Sequence, residues 1–465
     1  MIALALAACG PATENGPRKD RTSSTPTTPT VPTVPTYVTP PTLSASCEPE
    51  ENTLRFLCTV EMDPAGPAEI SFERADGTGS ARTHYSAERL TSHDIGLYFM
   101  NPSTDYKWTA SASEFPGVFV VGEVSTGIPP EGAALATEVE GESTADAFLL
   151  TSPCQGSGMP IVVDNQGELL WYDTLLTNAF IDSLIHTEED TVMLQRSNTV
   201  LHETWMGEVL YRVSPGTNRL HHDIFRKDGL NYVLFEESIL LHDRSYDLDG
   251  FYIFDDQGEV VAEWHLSDHF LPPDDPTLPA NSIVDYSHAN AVFVRDDGNV
   301  LLSFRHLSAF VLVNGDINDP DFGEILWRLT GDPDETEFGS DFTLTSSTVF
   351  SADFIRQHNV HQLPDGRYGL FDNRLSETAR VSILSIDETN MTADVEQTWE
   401  TAEMCRFQGS AWSTSAGNPV GHCAPEHYAQ EFDIGGYPWA VFSLRVDCAV
   451  ADSTYMPRMI PMDLY

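Results

Sequence analysis

The sequence has few basic residues. Among 465 residues, 24 Lys and Arg stand against 71 Asp and Glu, which gives a formal net charge of −47. A nucleic-acid-binding protein needs a basic surface that neutralises phosphates, so this balance excludes that function class. The acidity favours solubility in a salty or extracellular setting, with recognition of a cationic partner as the alternative. An anionic substrate would need a local positive pocket, which gives weight to the few Arg and His residues in loops.

Long apolar runs and helical apolar periodicity are also missing. No stretch beyond the N-terminus is long and apolar enough to span a bilayer, and none has the sustained periodicity of a long helix. Gly and Pro are frequent, with 31 and 30 copies, and short apolar runs separated by such residues favour an all-β architecture. The length predicts two domains plus connecting segments.

The N-terminus has the pattern of a bacterial lipoprotein. Leu4-Ala5-Leu6-Ala7-Ala8-Cys9-Gly10 is typical of the end of a signal segment followed by a lipobox. We therefore interpret residues 1–9 as a truncated signal segment with Cys9 as the lipidated residue, a buried structural Cys being the alternative. Residues 10–41 are rich in Pro and Thr and predict an extended linker. The expected location is the bacterial cell envelope, outer membrane or periplasm, with membrane attachment only through the lipid.

The six cysteines after Cys9 contain no Cys-x-x-Cys spacing, so a thiolate zinc site is not expected. An even number in an exported chain indicates disulfides. Cys47 with Cys58 is the first pair we expect, because the two flank a strand–turn–strand pattern. Of the three ways to pair the other four, Cys405–Cys423 with Cys154–Cys448 is preferred, since the second bond would join the two ends of a large domain.

Residues 42–128 have the strand spacing of a small β-sandwich of the fibronectin III or immunoglobulin type. Short alternating runs lie at Thr53–Val60, Glu69–Phe72 and Tyr106–Ala110. The segment from Leu97 to Tyr106 resembles the tyrosine corner of fibronectin III-like sandwiches. We interpret this region as a spacer or interaction module.

Residues 129–465 repeat two short phrases. One has an acidic-Gly turn followed by an apolar pair and Trp, as in Asp164–Trp171 and Asp255–Trp264. The other is a loop, an Asp-Gly pair and a strand, at Asp228-Gly229, Asp297-Gly298 and Asp365-Gly366. Strand hairpins that recur at roughly 40–60 residues predict a β-propeller of about six blades. In a propeller, loops of different blades meet near the central channel.

Three histidines occupy comparable places in successive loop–Asp-Gly–strand phrases: His222, His288 and His358. Arg305 follows an apolar run between the second and third of them. Two or more imidazoles and one guanidinium at one point would form a site that handles an anion. Five further histidines have no support from the phrases and are interpreted as structural or solvated: His265, His269, His306, His361 and His422.

The sequence resembles the bacterial arylsulfate sulfotransferases, six-bladed propellers of the export compartment. The motifs that carry the resemblance span about 330 residues and are His221-His222-Asp223, Asp285–Asn290, Ser303–His306, Gln357-His358-Asn359, Phe371-Asp372-Asn373 and a last group of Gly409-Ser410-Ala411, Glu431-Phe432-Asp433 and Tyr455–Arg458. The resemblance implies an enzyme that moves a sulfuryl group from an aryl sulfate to a phenol. It implies no nucleotide donor and no cofactor.

The resemblance also implies roles for five residues. His358 would be the nucleophile and carry the group as sulfohistidine. Arg305 would hold the sulfate oxygens, and His288 with Asn290 would complete the pocket. His222 would assist proton transfer to or from the phenol, in preference to His221 because it directly precedes Asp223. These roles suit the chemistry, since a guanidinium stabilises charge on sulfate oxygens and a neutral imidazole is nucleophilic.

Two alternatives remain open from the sequence. His222, His288 and His358 could hold Zn or Cu, although a guanidinium at Arg305 would repel a metal cation. The chain could also be a non-catalytic envelope lipoprotein whose propeller binds an anionic ligand or a protein partner, because fold alone does not decide function.

Overall fold

The computed structural model describes residues 39–154, 158–174, 181–332, 338–435, 439–448 and 456–464. Within these ranges the chain consists of β-strands, two three-residue 3₁₀ helices (Glu131–Ala133 and Leu266–Asp268) and connecting loops. The all-β prediction is therefore confirmed. No helix in these ranges has the length and apolarity to cross a membrane. The predicted lipobox at Cys9 lies outside the described residues.

The N-terminal region forms one five-stranded antiparallel sheet. Its strands are β1 (Thr42–Pro49), β2 (Phe56–Arg74), β3 (Arg82–Leu97), β4 (Asp105–Ala112) and β5 (Phe115–Ser125), in the order β1-β2-β4-β5 with β3 along the other edge of β2. The pairing register of β2 with β3 shifts between Glu61 and Ala68, around Pro64 and Pro67, because proline cannot donate a ladder hydrogen bond. The predicted two-sheet sandwich with boundaries 42–128 stays a prediction.

Tyr106 has the hydrogen bonds expected of a tyrosine corner. Its hydroxyl accepts from the backbone N–H of Asn101 at 2.8 Å and donates to the side-chain oxygen of the same residue at 3.0 Å. These bonds close the loop between β3 and β4 onto the strand that follows. Arg55, just before β2, makes a buried 2.8 Å ion pair with Asp173 of the next region, so the N-terminal sheet is joined to the rest of the chain.

From Leu135 onward, the described residues form six small sheets. Their strands are β6 (Leu135–Gly141), β7 (Ala147–Thr151), β8 (Pro160–Asp164), β9 (Leu169–Tyr172), β10 (Ser183–His186), β11 (Val192–Arg196), β12 (Thr199–Glu203), β13 (Val209–Val213), β14 (Arg219–Lys227), β15 (Leu230–Leu241), β16 (Arg244–Phe254), β17 (Val260–His265), β18 (Ile283–Asp285), β19 (Ala289–Val294), β20 (Val300–Phe304), β21 (Ala309–Val313), β22 (Ile325–Thr330), β23 (Thr343–Ser346), β24 (His358–Gln362), β25 (Tyr368–Asp372), β26 (Arg380–Asp387), β27 (Thr392–Glu400), β28 (Ser410–Ser413), β29 (Pro419–Cys423), β30 (Tyr428–Phe432), β31 (Ala440–Cys448) and β32 (Met459–Met462).

Each sheet begins with one strand that contacts the corresponding strands of neighbouring sheets. The sheets run β10 to β13, β14 to β17 with β18, β19 to β22, β24 to β27 with β23, β28 to β31 with β6, and β32 with β7 to β9. We call β10, β14, β19, β24, β28 and β32 the leading strands. They contact one another in chain order from β10 to β32, so the residues at their starting ends lie close together.

Both ends of the six-sheet region are tied to each other. The early strand β6 pairs with β31, and the last strand, β32, pairs with β7. The Cys154–Cys448 disulfide adds a covalent link over 294 residues. Cys47–Cys58 and Cys405–Cys423 are also bonded, so the predicted pairing is confirmed in all three cases.

Strands inside the region are buried on both faces because sheets pack against sheets. All five side chains of β20 and of β21 are buried. Those on one face join a cluster with residues of the β14–β17 sheet, and Leu301, Phe310 and Leu312 join a cluster with residues of the β24–β27 sheet. Burial of one such aliphatic or aromatic side chain contributes about 1.5–3 kcal/mol. The Asp-Gly pairs at Gly298 and Gly366 form the turns that follow β19 and β24, with φ of 82° and 88°, where glycine has no steric cost.

Candidate active site

The predicted histidines meet at the starting ends of three leading strands. His222 lies at the start of β14, His288 directly precedes β19, and His358 is the first residue of β24. The rings of His222 and His288 are 4.7 Å apart, centroid to centroid. His358 is near enough to both rings for its charge state to interact electrostatically with them. Arg305, the residue after β20, also acts on His358. The structure thus brings together four of the five predicted residues.

The backbone at these starting ends is unusual. Five residues other than glycine have left-handed φ values there: His222 (58°), His288 (52°), Arg356 (60°), Asn359 (52°) and Gln408 (54°). The pairing register also shifts at the starts of β14, β19 and β24, as in β-bulges, which change the direction of a side chain. Left-handed residues other than glycine cost about 1–3 kcal/mol each and cluster at functional sites.

His358 is held in one tautomer by Asn373. Its Nδ1 lies 2.6 Å from Oδ1 of Asn373. The Nδ2 of Asn373 donates to two carbonyl oxygens, of Cys405 at 2.9 Å and of Gln408 at 2.7 Å, which fixes the orientation of the amide. Asn373 therefore presents an acceptor, and Nδ1 of His358 must carry the hydrogen. The lone pair of the neutral ring is then on Nε2.

His358 is neutral at ordinary pH. The side chain is buried, with 4% of its surface exposed. Burial, and after it the positive charge of Arg305, hold the pKa of His358 well below its ordinary value, against the opposing effect of the hydrogen bond to Asn373. A buried neutral imidazole with a defined lone pair has the properties of a nucleophile.

Arg305 is positioned by its neighbour His306. The guanidinium Nη1 donates to Nε2 of His306 at 2.7 Å, and Nη2 donates to the carbonyl of Arg406 at 3.3 Å. Burial, with a contribution from Arg356, lowers the pKa of Arg305 to about 10, so it is still charged at neutral pH. Its Nε is buried and donates no hydrogen bond within the described residues.

His306 belongs to the site, contrary to its interpretation from the sequence as structural or solvated. Its Nδ1 donates to the carbonyl of Asp285 at 2.7 Å, its ring stacks on His288 at 4.6 Å, and burial lowers its pKa to about 4. The neutral ring can therefore accept the bond from Arg305. Its position next to Arg305 in the sequence was the available signal.

His288 is paired with a carboxylate. Its Nδ1 lies 2.6 Å from Oδ2 of Asp285. Burial disfavours the ionised carboxyl, yet the hydrogen bond with His288 and the electrostatic effect of the nearby imidazoles hold the pKa of Asp285 below its ordinary value. Asp285 is thus a carboxylate that orients the ring of His288 through its Nδ1.

His222 adjoins a second imidazole and a second carboxylate. Its Nδ1 lies 2.7 Å from Nδ1 of His221, and Nε2 of His221 lies 2.9 Å from Oδ1 of Asp249. Burial, and then the proximity of His221, His288 and His358, hold the pKa of His222 well below its ordinary value. His221 behaves in the opposite way: burial opposes its charged form, but the bond to Asp249 and its charge raise the pKa.

Asn290 lies behind the imidazoles. It is 1% exposed, and its Nδ2 donates to the carbonyl of Gln357 at 2.6 Å. This bond fixes the peptide just before His358. Gln357 is itself anchored by bonds from its Nε2 to the carbonyl of Ala309 and the hydroxyl of Ser303. In this structure Asn290 joins two strand starts, and its predicted contact with a sulfate oxygen stays a prediction.

A buried ion pair lies beneath the site. Nη2 of Arg458 is 2.8 Å from Oδ1 of Asp223 and 3.3 Å from the carbonyl of Asn290. Asp223 also accepts from Ser183 and from the backbone of Val292. The pair therefore connects the starts of β10, β14, β19 and β32, and removal of one partner from such a buried pair costs about 3–5 kcal/mol.

The histidine arrangement does not fit the metal-site alternative. Among the described residues, the candidate group of metal-ligand atoms within 4.8 Å of one another is Asp285, His288 and His306, without His222 or His358. Within that group, Nδ1 of His288 bonds Asp285, and both nitrogens of His306 have hydrogen-bond partners, one of them Arg305. A metal ion there would have to displace these bonds and lie beside a guanidinium.

A cavity of about 470 Å³ lies at the opposite ends of β24 and β28. His361, Trp412 and the turns that follow the two strands line it, and the rings of His361 and Trp412 are 5.1 Å apart. The nucleophile candidate His358 is at the starting end of β24, so this cavity is not part of the histidine site.

Comparison with known proteins identifies one family. The model for Arylsulfotransferase (ASST) matches residues 96–416. This range contains His222, Asn290, His288, Arg305 and His358. No curated protein sequence matches the chain.

Solved structures are similar only at a distance. A protein of unknown function from Bacteroides caccae has a TM-score of 0.42 and 12% identity, covering 68% of this chain and 99% of its own. Virginiamycin B lyase from Staphylococcus aureus has a TM-score of 0.38 and 8% identity, covering 67% and 99%. The luciferin-regenerating enzyme has 0.35 and 10%, covering 70% and 95%. At these scores the similarities carry no argument about this chain.

Proposed function

The chain belongs to the arylsulfotransferase family, and from that premise we propose that it transfers a sulfuryl group from an aryl sulfate to a phenol through sulfohistidine at His358. The family supports a transferase with small-molecule aryl sulfate and phenol substrates. The intermediate, the order of steps and the roles of single residues are our proposal. No nucleotide donor is required, because an aryl sulfate carries its own leaving group.

The observation that carries the proposal is the state of His358. Asn373 holds the Nδ1 hydrogen at 2.6 Å, and burial beside Arg305 keeps the pKa low and the ring neutral. Its Nε2 lone pair is therefore available for attack without prior loss of a proton. A solvated histidine, with its ordinary pKa of about 6.5, is partly protonated near neutral pH, and its neutral form exchanges between two tautomers.

Charge at the site supports an anionic substrate. Arg305 remains a cation despite burial, and its unpartnered Nε is a donor of the kind that a sulfate oxygen accepts. In a chain with a net charge of −47, a guanidinium held rigidly by His306 supplies the local positive field. Preorganised donors of this type stabilise the charge that develops on the transferred group.

The proposed reaction has two half-reactions. In the first, the Nε2 lone pair of His358 forms an N–S bond while the S–O bond to the aryl group breaks. The electron pair leaves with the phenolate, which takes a proton from Nε2 of His222. In the second, a phenol returns a proton to His222 as its oxygen attacks sulfur and the N–S bond breaks. Two successive transfers through the enzyme predict ping-pong kinetics.

The direct test is the covalent intermediate. The wild-type protein, mixed with 4-nitrophenyl sulfate and no acceptor, should gain the mass of one sulfuryl group, and added phenol should remove it. His358→Ala should gain no such mass and release no 4-nitrophenol. His361→Ala, which alters a buried histidine three residues further along the same strand, is the matched control and should form the adduct. Absence of an adduct in wild type, or its presence in His358→Ala, contradicts the proposal.

We also propose an architecture and a location for this enzyme. The six small sheets would be the blades of a propeller, with the N-terminal sheet as a sandwich-like module before them. Their number, their leading strands and the shared pairing of both ends support this. The chain would be exported and anchored by a lipid on Cys9. Metabolic labelling with a fatty acid tests the anchor, since label retained in Cys9→Ser would contradict it.

A further inference from the structure

The proposed proton donor presents a chemical difficulty. His222 must give a proton to the leaving phenolate, but burial among His221, His288, His358 and Arg458 keeps its pKa far below neutrality. It is therefore a neutral imidazole. A neutral imidazole that gave up its only N–H proton would become an imidazolate, which is prohibitively basic unless a second proton reaches the ring at the same time.

The structure contains a source for that second proton. His221 is 5% exposed, and its Nε2 lies 2.9 Å from Oδ1 of Asp249. Its Nδ1 lies 2.7 Å from Nδ1 of His222. Because an ionised carboxylate carries no hydrogen, the 2.9 Å contact favours a proton on Nε2 of His221. The second hydrogen of a charged His221 lies between the two Nδ1 atoms.

Asp249 is fixed in place from its other side. Its Oδ2 accepts from the hydroxyl of Ser287 and from the backbone N–H of Ala289, the latter at 2.8 Å. These two residues flank His288, so one carboxylate holds both the His221 ring and the segment that carries another site histidine. With all its partners in place, Asp249 has little freedom to turn away from His221.

We infer that Asp249, His221 and His222 form a proton relay in which His221 is a positioning and proton-supplying residue for His222. The inference rests on the proposed sulfuryl transfer. In the resting state His221 is doubly protonated, and His222 accepts its Nδ1–H and carries its own hydrogen on Nε2. The pair thus holds one positive charge, stored on the ring that faces Asp249.

Both half-reactions then balance. When the phenolate leaves, it takes the Nε2 proton of His222 while His222 takes the Nδ1 proton of His221. The pair becomes two neutral rings, with Nδ1–H on His222 and a lone pair on its Nε2. When the acceptor phenol arrives, its proton goes to that Nε2, and the Nδ1 proton returns to His221. His222 is never charged, which agrees with its depressed pKa.

The relay predicts a specific dependence on the leaving group. A poor leaving group such as unsubstituted phenolate needs the proton, whereas 4-nitrophenolate, a much weaker base, leaves without it. His221→Asn and Asp249→Asn should therefore lose about 10²-fold in kcat/KM with phenyl sulfate, within the range of general acid catalysis. With 4-nitrophenyl sulfate we expect a loss of only a few fold. A plot of log kcat/KM against phenol pKa should become steeper in both variants.

The relay also predicts a shift in the alkaline pH limit. Transfer from phenyl sulfate requires protonated His221, so activity should fall as pH rises through its raised pKa. Asp249→Asn removes the charge that favours this proton, so the fall should move to lower pH. The titratable and charged groups that interact electrostatically with the pair are the acids Asp182, Glu236, Asp249 and Asp285, the cation Arg458, and the imidazoles of His288 and His358.

Controls separate the relay from general damage and from failure of the proposed function. His186→Asn removes a partly buried histidine paired with Asp190 at the far end of β10 and should change neither slope nor pH limit. An equal loss with both donors in His221→Asn and Asp249→Asn would overturn the relay. If wild type transfers from neither donor, the proposed function fails. Nitrogen-15 NMR of the wild-type protein then tests the protonation of His221 and His222 without any substrate. The relay requires hydrogen on both ring nitrogens of His221 and only on Nε2 of His222. Any other protonation of these four nitrogens would overturn it.

Discussion

The leading strands differ between their two ends in where left-handed backbone occurs. At the ends that lead into turns, it falls on glycine in four strands, at Gly229 (77°), Gly298 (82°), Gly366 (88°) and Gly417 (84°), and on aspartate at Asp190 (57°) and Asp228 (51°). A Cβ added to Gly229, Gly298 or Gly366 would meet no atom within 4 Å. These three turns are therefore open.

At the starting ends, left-handed backbone falls mostly on residues other than glycine, with Gly409 (100°) directly before β28 as the exception. His222, His288, Arg356, Asn359 and Gln408 have φ values of 52–60°, and three of the four strands concerned begin with a shift in register. Replacement by glycine would relieve the strain but would also remove an imidazole, a guanidinium or a side-chain amide. This difference indicates that left-handed backbone is retained on residues other than glycine mainly where their side chains belong to the site. The burial of the sheets offsets the resulting loss of stability.

We expect the largest effect on kcat/KM when His358 no longer holds its hydrogen on Nδ1. Asn373→Leu removes the oxygen that receives the Nδ1 hydrogen at 2.6 Å, so the ring can adopt the tautomer with hydrogen on Nε2, which cannot attack sulfur. We expect kcat/KM for 4-nitrophenyl sulfate to fall by about 10²–10⁴-fold, as in other enzymes whose catalytic imidazole loses its orienting partner. Steady-state kinetics measure this.

The control for that variant lies at the other end of a leading strand. Asn299→Leu, in the turn after β19, makes the same chemical change on a residue outside the site and should alter kcat/KM by less than about threefold. Comparable losses in both variants would mean that the two ends contribute equally to function, and the distinction drawn between them would fail.

The second-largest effect is on the pH below which the enzyme loses activity. Attack requires neutral His358, and its pKa is depressed by burial and by Arg305, so wild-type activity should persist as pH falls through about 6.5. It should be lost only at lower pH. Arg305→Met removes the charge, so the acid limit should move to higher pH, together with a loss of about 10²–10³-fold in kcat. The pH profile of kcat/KM for the two proteins measures both.

Arg367→Met is the matched change at a turn end, since Arg367 pairs with Asp365 after β24. Its acid limit should coincide with that of wild type. An Arg305→Met protein with an unmoved acid limit would show that the guanidinium does not set the protonation of His358, even if activity were low.

The sequence predicted local features and the three disulfides well, including the one over 294 residues, but it predicted the distant hydrogen bonds and ion pairs of the site poorly. Alternation of apolar residues and Asp-Gly turns identified strands because both signals are local. His222, His288 and His358 were found because they recur at one place in a repeated phrase. Asp249 was not found: its partner His221 is 28 positions away, and only the fold brings them together. Arg458 and Asp223, 235 positions apart, were quoted only as parts of motifs, with no hint of their ion pair. His306 was dismissed because it follows no phrase, although it lies beside Arg305.

The smallest expected effect comes from adding a Cβ to a left-handed residue at a turn end and removing one from a left-handed residue at a starting end. Gly298→Ala places a Cβ on a residue with φ of 82° and should destabilise the protein by about 1 kcal/mol with unchanged kcat/KM. Arg356→Gly removes a Cβ from a residue with φ of 60° and should stabilise it by about 0.5–1 kcal/mol. Because Arg356 contributes positive charge beside Arg305, kcat/KM should fall severalfold. Urea denaturation midpoints and kinetics on the same preparations measure both. If strain at the starting ends serves the site, the two variants should change stability in opposite directions, and only Arg356→Gly should lose activity. An Arg356→Gly protein that is destabilised but fully active would show that the left-handed backbone there has a purely structural cause.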